Sequence, residues 1–305
     1  LPGIYSDPVS DSSQIPTFLV SQLARRQVTV SLSGDGGDEL FGGYNRYTHT
    51  HKLWSTIAKL SIPLRKMAAA GITSLSQDQW SALARPVMAV MPKKYKRPNV
   101  GSLAHKGARV LTSDSVDAIY HAAVSHWNPA DILLNSFEPK TAVTTPGSMP
   151  ECEPIQRMMA LDTISYLPGD ILCKLDRAAM AVSLESRVPL LDHRIVEFAW
   201  SLPLEMKLRH GIGKWPLREV LYRHVPKALI ERPKMGFGVP IDEWLRGPLR
   251  DWADSLLDER SLREQGIFKP EQIRLKWAEH LSGKANWQYH LWDVLMFQAW
   301  VSNES

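Results

Sequence analysis

A short β-branched run, Val28-Thr29-Val30-Ser31-Leu32, leads straight into a turn built almost wholly from glycines and carboxylates. That turn reads Ser33-Gly34-Asp35-Gly36-Gly37-Asp38-Glu39-Leu40-Phe41-Gly42-Gly43-Tyr44, and no other segment constrains the chain as strongly. The run before it suits a buried strand. Residues 13–26 predict a helix, because Ile15, Phe18, Leu19 and Leu23 recur at helical spacing and Ser13 with Pro16 suits its start. Leu40 to Tyr47 predicts a restart of helix after the turn. Helix, strand, loop, helix is the rhythm of an α/β sheet with covering helices. In such sheets ligands bind at the carboxyl ends of the strands, where this turn falls.

The turn's residue types point to phosphate and metal together. Glycines permit positive φ and close backbone approach, as a phosphate cradle requires. Asp35, Asp38 and Glu39 offer hard oxygen ligands for Mg²⁺, a metal that commonly bridges to substrate phosphates. Carboxylate and phosphate repel each other, so both at one turn call for a cation between them. A Walker loop is excluded, since no Lys follows the glycines. An EF-hand is excluded by its ligand spacing. An acidic glycine turn with no ligand is the competing reading of these letters.

The remainder bounds the class. With 305 residues, 44% hydrophobic and 22% charged, the chain can bury one large core or two small ones. Beyond residue 50 the pattern is mainly helical: 114–127 carries Val116, Ile119, Tyr120, Ala123, Val124 and Trp127 on one face. The stretch 151–202 reads as dense helix punctuated at Pro168-Gly169 and Pro189, and 214–230 and 268–301 add further amphipathic helices. Residues 128–152, rich in Pro, Thr and Ser, read as a surface loop. The net charge of +4 is modest, and the basic cluster 93–97 reads as a solvated loop and not a nucleic-acid site. Cys152 and Cys173 are the only cysteines, which excludes a disulfide framework and fits a reducing cytoplasm. Both fall in sequence that reads as helical, as small core residues. No apolar run reaches the roughly 18 residues of a membrane span, and the first residues are no signal peptide. The start, Leu1 in place of Met, reads as mid-domain.

Four segments in order carry a family resemblance. The turn Ser33–Tyr44 closely resembles the second ATP-site motif of asparagine synthetases. Residues 166–180, from Tyr166 through Asp170, Lys174, Asp176 and Arg177 to Met180, look like the family's Y-L-x-x-D-I-L-x-K-x-D-R-x-x-M block. Residues 183–193, with Glu185, Arg187, Pro189, Asp192 and His193, resemble its S-L-E-x-R-x-P-x-L-D-H block, and 232–244 is similar to its C-terminal lysine loop. Together they cover residues 7 to about 250. The resemblance implies an ATP-pyrophosphatase-type α/β parallel sheet, here N-terminally truncated, with an ATP-site part over 1–60 and a large helical part over 61–305. It implies adenylation of the aspartate side-chain carboxylate by Mg·ATP, then attack by glutamine-derived ammonia to give asparagine, AMP and pyrophosphate. It also implies a glutaminase domain, absent from this chain, as the ammonia source, and a homodimer as the assembly.

By the same resemblance, Ser33 and Gly34 contact the AMP portion of ATP, Asp38 chelates Mg²⁺, and Asp35 and Glu39 support that site. Tyr44 and Glu185 resemble a pair near the activated carboxylate, and Lys234 neutralises charge on departing pyrophosphate. Local readings compete: Asp176-Arg177 and Glu185-Arg187 as helix-tying ion pairs, Lys174 as structural, Asp192 as a helix N-cap, Trp244, Trp252 and Trp292 as packing. The chain departs from the family by lacking its earlier S-G-G-x-D-S loop, so the isolated chain is expected to be inactive. Two other functions fit the letters, an amidotransferase acting on a sugar uronate and a non-catalytic scaffold.

Overall fold

In the computed structural model, residues 2–91, 100–145, 147–231 and 237–304 are described. The basic cluster 93–97 therefore lies outside the described residues. The chain divides into two compact units, one formed by Leu1–Asn45 with Ser125–Ser305, the other by Arg46–Val124.

The first unit opens with helix α1 (Gln14–Arg25), strand β1 (Val30–Leu32) and the five-residue helix α2 (Gly37–Phe41). The predicted strand is therefore present but shorter, and its Val30 and Leu32 are exposed where burial was expected. The predicted helix across Leu40–Tyr47 is not continuous. It breaks at Gly42, whose φ of +67° places it in the left-handed region that glycine tolerates. β1 pairs in parallel with β2 (Glu185–Arg187), in the register Val30↔Glu185 and Leu32↔Arg187. β2 corrects the reading of 151–202 as helix throughout. That stretch holds α9 (Pro154–Ile164), a π-helical segment (Leu167–Leu172), α10 (Cys173–Met180), β2, and α11 (His193–Ser201). Cys152, read as a helical core residue, is instead exposed and outside any helix, while Cys173 opens α10 half-buried. Asp192 is the expected N-cap of α11, its carboxylate accepting from the Arg194 N–H at 3.0 Å.

The main core of this unit lies in its C-terminal helices, α15 (Ile241–Arg246) through α19 (Gln288–Glu304). Ile241, Leu245, Ile273, Trp277, Leu291, Trp292 and Leu295 pack there, with Trp252 against them. The Trp277 Nε1–H donates to Asp254 at 2.8 Å, so the buried indole keeps a polar partner. A second cluster pins the glycine turn: Leu40 and Phe41 of α2 pack on Ala199 of α11, ringed by Leu191, Ile195, Val196, Trp200, Leu202 and Leu217.

The second unit runs from α3 (Asn45–Ile57) through α4 (Ile62–Thr73), α5 (Gln77–Val90), α6 (Val100–Leu111) and α7 (Val116–Val124). Arg65 is buried in it, donating to the Ser113 carbonyl at 2.8 Å with its guanidinium over the Trp54 ring. Among the described residues no helix is long and apolar enough to cross a membrane.

Candidate functional site

The carboxyl end of β1 delivers the chain into the turn, and a backbone bond holds that exit in place. The Ser33 N–H donates to the Arg187 carbonyl at 2.8 Å, one step beyond the last ladder pair. The Ser33 hydroxyl then donates to the Asp35 carboxylate, whose own N–H points back to the Ser33 oxygen. The first loop residues are thus tied to one another, with Gly34 exposed between them.

The glycines divide by cause. Gly36 has φ +80°, and a Cβ there would meet Leu191 at 2.5 Å. At Gly43 a Cβ would lie 2.0 Å from an Asp38 carboxylate oxygen and 2.4 Å from Lys214 Cε, impossible spacings. Gly213 faces the Gly42 carbonyl so closely that a Cβ would fall 2.1 Å from it. At Gly34, by contrast, an added Cβ would meet nothing within 4 Å, and no left-handed backbone demands glycine. Chain packing therefore explains Gly36, Gly43 and Gly213, and leaves Gly34 as open space at the strand's end.

Asp38 sits in the first turn of α2, and its carboxylate is 2.7 Å from Lys214 Nζ. Lys214 holds φ +59° at the start of α13 (Trp215–Leu221), and its N–H donates to the Phe41 carbonyl at 2.9 Å. The absence of side chains at Gly43 and Gly213 is what lets the two segments approach closely enough for this pair. In the letters, Lys214 carries only a weak signal, Gly213-Lys214-Trp215-Pro216, a glycine and a cation at a proline-marked helix start.

Glu39 points the other way, into the protein, and is 1% exposed. Its carboxylate accepts from the Tyr44 hydroxyl at 2.8 Å. Burial pushes the Glu39 pKa up, and the Tyr44 bond partly opposes it. Burial, with the Glu39 charge beside it, pushes the Tyr44 phenol far above its ordinary range, so Tyr44 stays a neutral donor. The Tyr44 ring meets Tyr166 edge-on, with centroids 6.0 Å apart.

Glu185 opens β2 opposite Val30, three residues and so roughly 10 Å back along the strands from Ser33 at about 3.3 Å per residue. Its carboxylate accepts from Arg187 Nε at 2.7 Å, both side chains being more than half exposed. Asp176 pairs with its neighbour Arg177, so neither pair ties separate helices together. Lys174 is nearly buried and bound to Asp11 and Ser13. Lys234 lies outside the described residues. The structure thus gathers Ser33, Gly34, Asp35, Asp38, Glu39 and Tyr44 on one turn and adds Lys214. Among the described residues no cluster of three or more His, Cys, Asp or Glu forms a metal cage. A single carboxylate is nonetheless in keeping with Mg²⁺, which usually takes one or two protein carboxylates plus substrate phosphates and water.

Comparison with known proteins matches the asparagine synthase family model over residues 1–302. Asparagine synthetase 1 (glutamine-hydrolyzing) of Bacillus subtilis is 32% identical over 305 aligned residues, covering 98% of this chain and 44% of that protein. Asparagine synthetase 3 (glutamine-hydrolyzing) of the same organism is 26% identical over 84% of this chain and 36% of its own length. The asparagine synthetase (glutamine-hydrolyzing) of Gallus gallus is 32% identical over 40% of this chain and 24% of its own. The chain spans less than half the length of these curated relatives. With a family match across virtually its whole length, laid over a glycine-carboxylate turn at a strand's carboxyl end, this chain belongs to the asparagine synthase family.

Proposed function

We propose that the turn at Ser33–Tyr44 binds Mg·ATP and that this chain carries the amide-forming half of glutamine-dependent asparagine synthesis. The aspartate side-chain carboxylate attacks the α-phosphorus of ATP, and the bond to pyrophosphate breaks. Ammonia released from glutamine by a separate glutaminase domain then attacks the acyl carbon, AMP leaves, and the nitrogen sheds a proton to give asparagine.

One observation carries this reading: the Asp38 carboxylate is already paired with a cation, Lys214, at a close approach that the missing side chains of Gly43 and Gly213 allow. A carboxylate so placed fits a divalent metal. Bound Mg²⁺ would neutralise charge on the triphosphate and draw the developing negative charge toward it. Asp38 would hold the metal, with Asp35 and Glu39 supporting the turn. Ser33 and Gly34 would face the AMP portion, where the open space at Gly34 allows close backbone approach. Lys214, released from Asp38, would keep its positive charge near the phosphates, and Lys234 would meet the leaving pyrophosphate. Tyr44 and Glu185 would lie near the activated carboxylate, Tyr44 as a neutral hydrogen-bond donor.

We also read β1 and β2 as part of a larger parallel sheet of ATP-pyrophosphatase type. Parallel sheets are normally covered on both faces, yet Leu32 is 74% exposed and Leu19 and Leu23 of α1 are exposed too. Further strands and helices against that face would bury them.

The test is calorimetric titration of Mg·ATP into the protein carrying this chain, with Asp38→Ala beside it, followed by product analysis with ATP, glutamine and aspartate. Binding lost in the variant, and AMP and pyrophosphate formed one-to-one with asparagine, is the expected result. Equal Mg·ATP binding and turnover by Asp38→Ala would overturn the site. Turnover with a uronate and none with aspartate would overturn the substrate.

A further inference from the structure

Paired residues of a parallel ladder present their side chains to one face of the sheet, and successive residues alternate between faces. In the register of β1 and β2, Ser31 and Ser186 therefore share a face, and their hydroxyls stand 3.1 Å apart on it. Val30, Leu32, Glu185 and Arg187 share the other face, and all four are exposed. Arg187 is the last residue of β2, and its carbonyl takes the Ser33 N–H at 2.8 Å. It thus stands at the carboxyl end of both strands, where the glycine turn begins and where sheets of this kind bind ligands.

The two charges on this face are opposite and only half used. Arg187 Nε donates to Glu185 Oε1 at 2.7 Å. Among the described residues nothing meets the two terminal nitrogens of Arg187 or the second carboxylate oxygen of Glu185. An exposed ion pair of this sort adds little to stability. What it presents is an outward-facing fork of N–H donors beside a carboxylate oxygen. The fork matches a carboxylate bidentately. An α-amino acid carries the two complementary groups, carboxylate and ammonium, on one carbon. A phosphate at Arg187 would bring no ammonium for Glu185 and would be repelled by it, and a sugar uronate lacks the ammonium as well.

We propose that Arg187 and Glu185 recognise the α-carboxylate and α-ammonium of the amino acid whose side-chain carboxylate is activated, which makes Arg187 a specificity-determining residue for aspartate. The proposal rests on the reading of the neighbouring turn as the adenylating site, and it deepens that reading by naming the groups that select the substrate. With the amino acid in place, two positive and two negative charges meet and cancel. Any element that covers Leu32 also shields these bonds from water and strengthens them.

The experiment measures pyrophosphate release by the protein carrying this chain, with Mg·ATP and glutamine. The acceptors are aspartate, β-alanine, which lacks the α-carboxylate, and succinate, which lacks the α-ammonium. The parent should prefer aspartate over either in kcat/KM by roughly 10- to 100-fold, the size of one lost charge-assisted bond. Arg187→Gln should lose most of the preference over β-alanine, and Arg187→Lys, which keeps the charge without the fork, should lose part of it. A parent with no preference for aspartate over β-alanine, or an Arg187→Gln protein that retains the parent's preference, would overturn the proposal. If Arg187→Gln does not fold, Arg187→Lys and the two analogues with the parent decide. Calorimetric titration of Mg·ATP into each protein keeps the two readings apart. Arg187→Gln that loses Mg·ATP binding with its aspartate preference intact assigns the guanidinium to the phosphates, which sinks the proposal and leaves the nucleotide site standing. A parent that binds no Mg·ATP, or that turns over a uronate and not aspartate, removes the underlying reading and the proposal together.

Discussion

Lys207, the last residue of α12 (Leu204–Lys207), is 0% exposed, and among the described residues its ammonium finds no hydrogen-bond acceptor. Its compensation is the Trp200 ring, whose centroid lies 4.6 Å from Nζ. Burial pulls its pKa from 10.5 down to about 8. At 1.36 kcal/mol per unit, that drop makes the buried charge cost about 3 kcal/mol, of which a desolvated cation–π contact returns up to about 2. The sign follows from proton counting. Below pH 8 both folded and unfolded chains are protonated here and the fold bears the whole cost. Between pH 8 and 10.5 the unfolded chain holds a proton that the folded chain has lost, so stability rises with pH. Above that window both are neutral and the cost is gone. Lys207→Met keeps the stem and removes the charge, so it should be more stable than the parent by about 1–3 kcal/mol at neutral pH. Its advantage should shrink steadily across the same window. Urea midpoints of both proteins at pH 7, 9 and 10.5 measure it, provided m is unchanged. A variant less stable at pH 7, or an advantage that does not shrink with pH, would refute the reasoning.

Gly34→Ala, which meets no atoms within 4 Å, should leave the urea midpoint unchanged yet cut Mg·ATP affinity about tenfold or more; unchanged affinity would mean no ligand uses that space. Gly43→Ala places a methyl on Asp38 and Lys214, so it should lose Mg·ATP binding and stability together, read by calorimetry and urea melts. Tyr44→Phe leaves the buried Glu39 carboxylate without its 2.8 Å donor and should cost about 1–3 kcal/mol at neutral pH, a loss that Glu39→Gln in the same chain should largely cancel in a double-mutant cycle. Arg65→Met breaks the 2.8 Å bond to the Ser113 carbonyl in the second unit and should cost about 1–3 kcal/mol, with protection of α4 and α6 amides from exchange falling more than that of α15–α19.

What could be read from the letters, and what could not, divides by distance along the chain. β1 was legible because Val28-Thr29-Val30-Ser31-Leu32 is a local β-branched run that gives way to a glycine-rich turn. Its partner β2 was not, since Glu185-Ser186-Arg187 has neither apolar alternation nor β-branching, and three residues are too few to show a period. It is a strand only because β1 lies beside it, with Ser31 and Ser186 hydroxyls 3.1 Å apart. The helix break at Gly42 was hidden for the same reason. Leu40 to Tyr47 keeps helical spacing, and the close approach of Leu208, Gly213 and Lys214 to Gly42 and Gly43 comes from a remote segment. Pro168-Gly169 looked like an end of helix, but proline is tolerated in a first turn and the π-helical geometry carries the chain through to α10.

The same division explains the site. The acidic residues of the turn announce a need for positive charge, and that need is local and readable. Which cation meets it is not, because Lys214 reaches Asp38 only through the packing of α2 on α11 and α13. Glu39 and Asp38 are adjacent carboxylates with opposite surroundings: one is turned inward and held by a phenol, the other half-open and held by an ammonium. Neighbouring letters of one chemical type thus acquire different surroundings from partners supplied elsewhere, and burial pushes the Glu39 pKa up. A metal-phosphate complex arriving at this turn would find one carboxylate already matched to a cation that it can replace, and another whose removal from Tyr44 would strand a buried acid. That asymmetry, more than the count of acidic residues, favours Asp38 over Glu39 as the ligand.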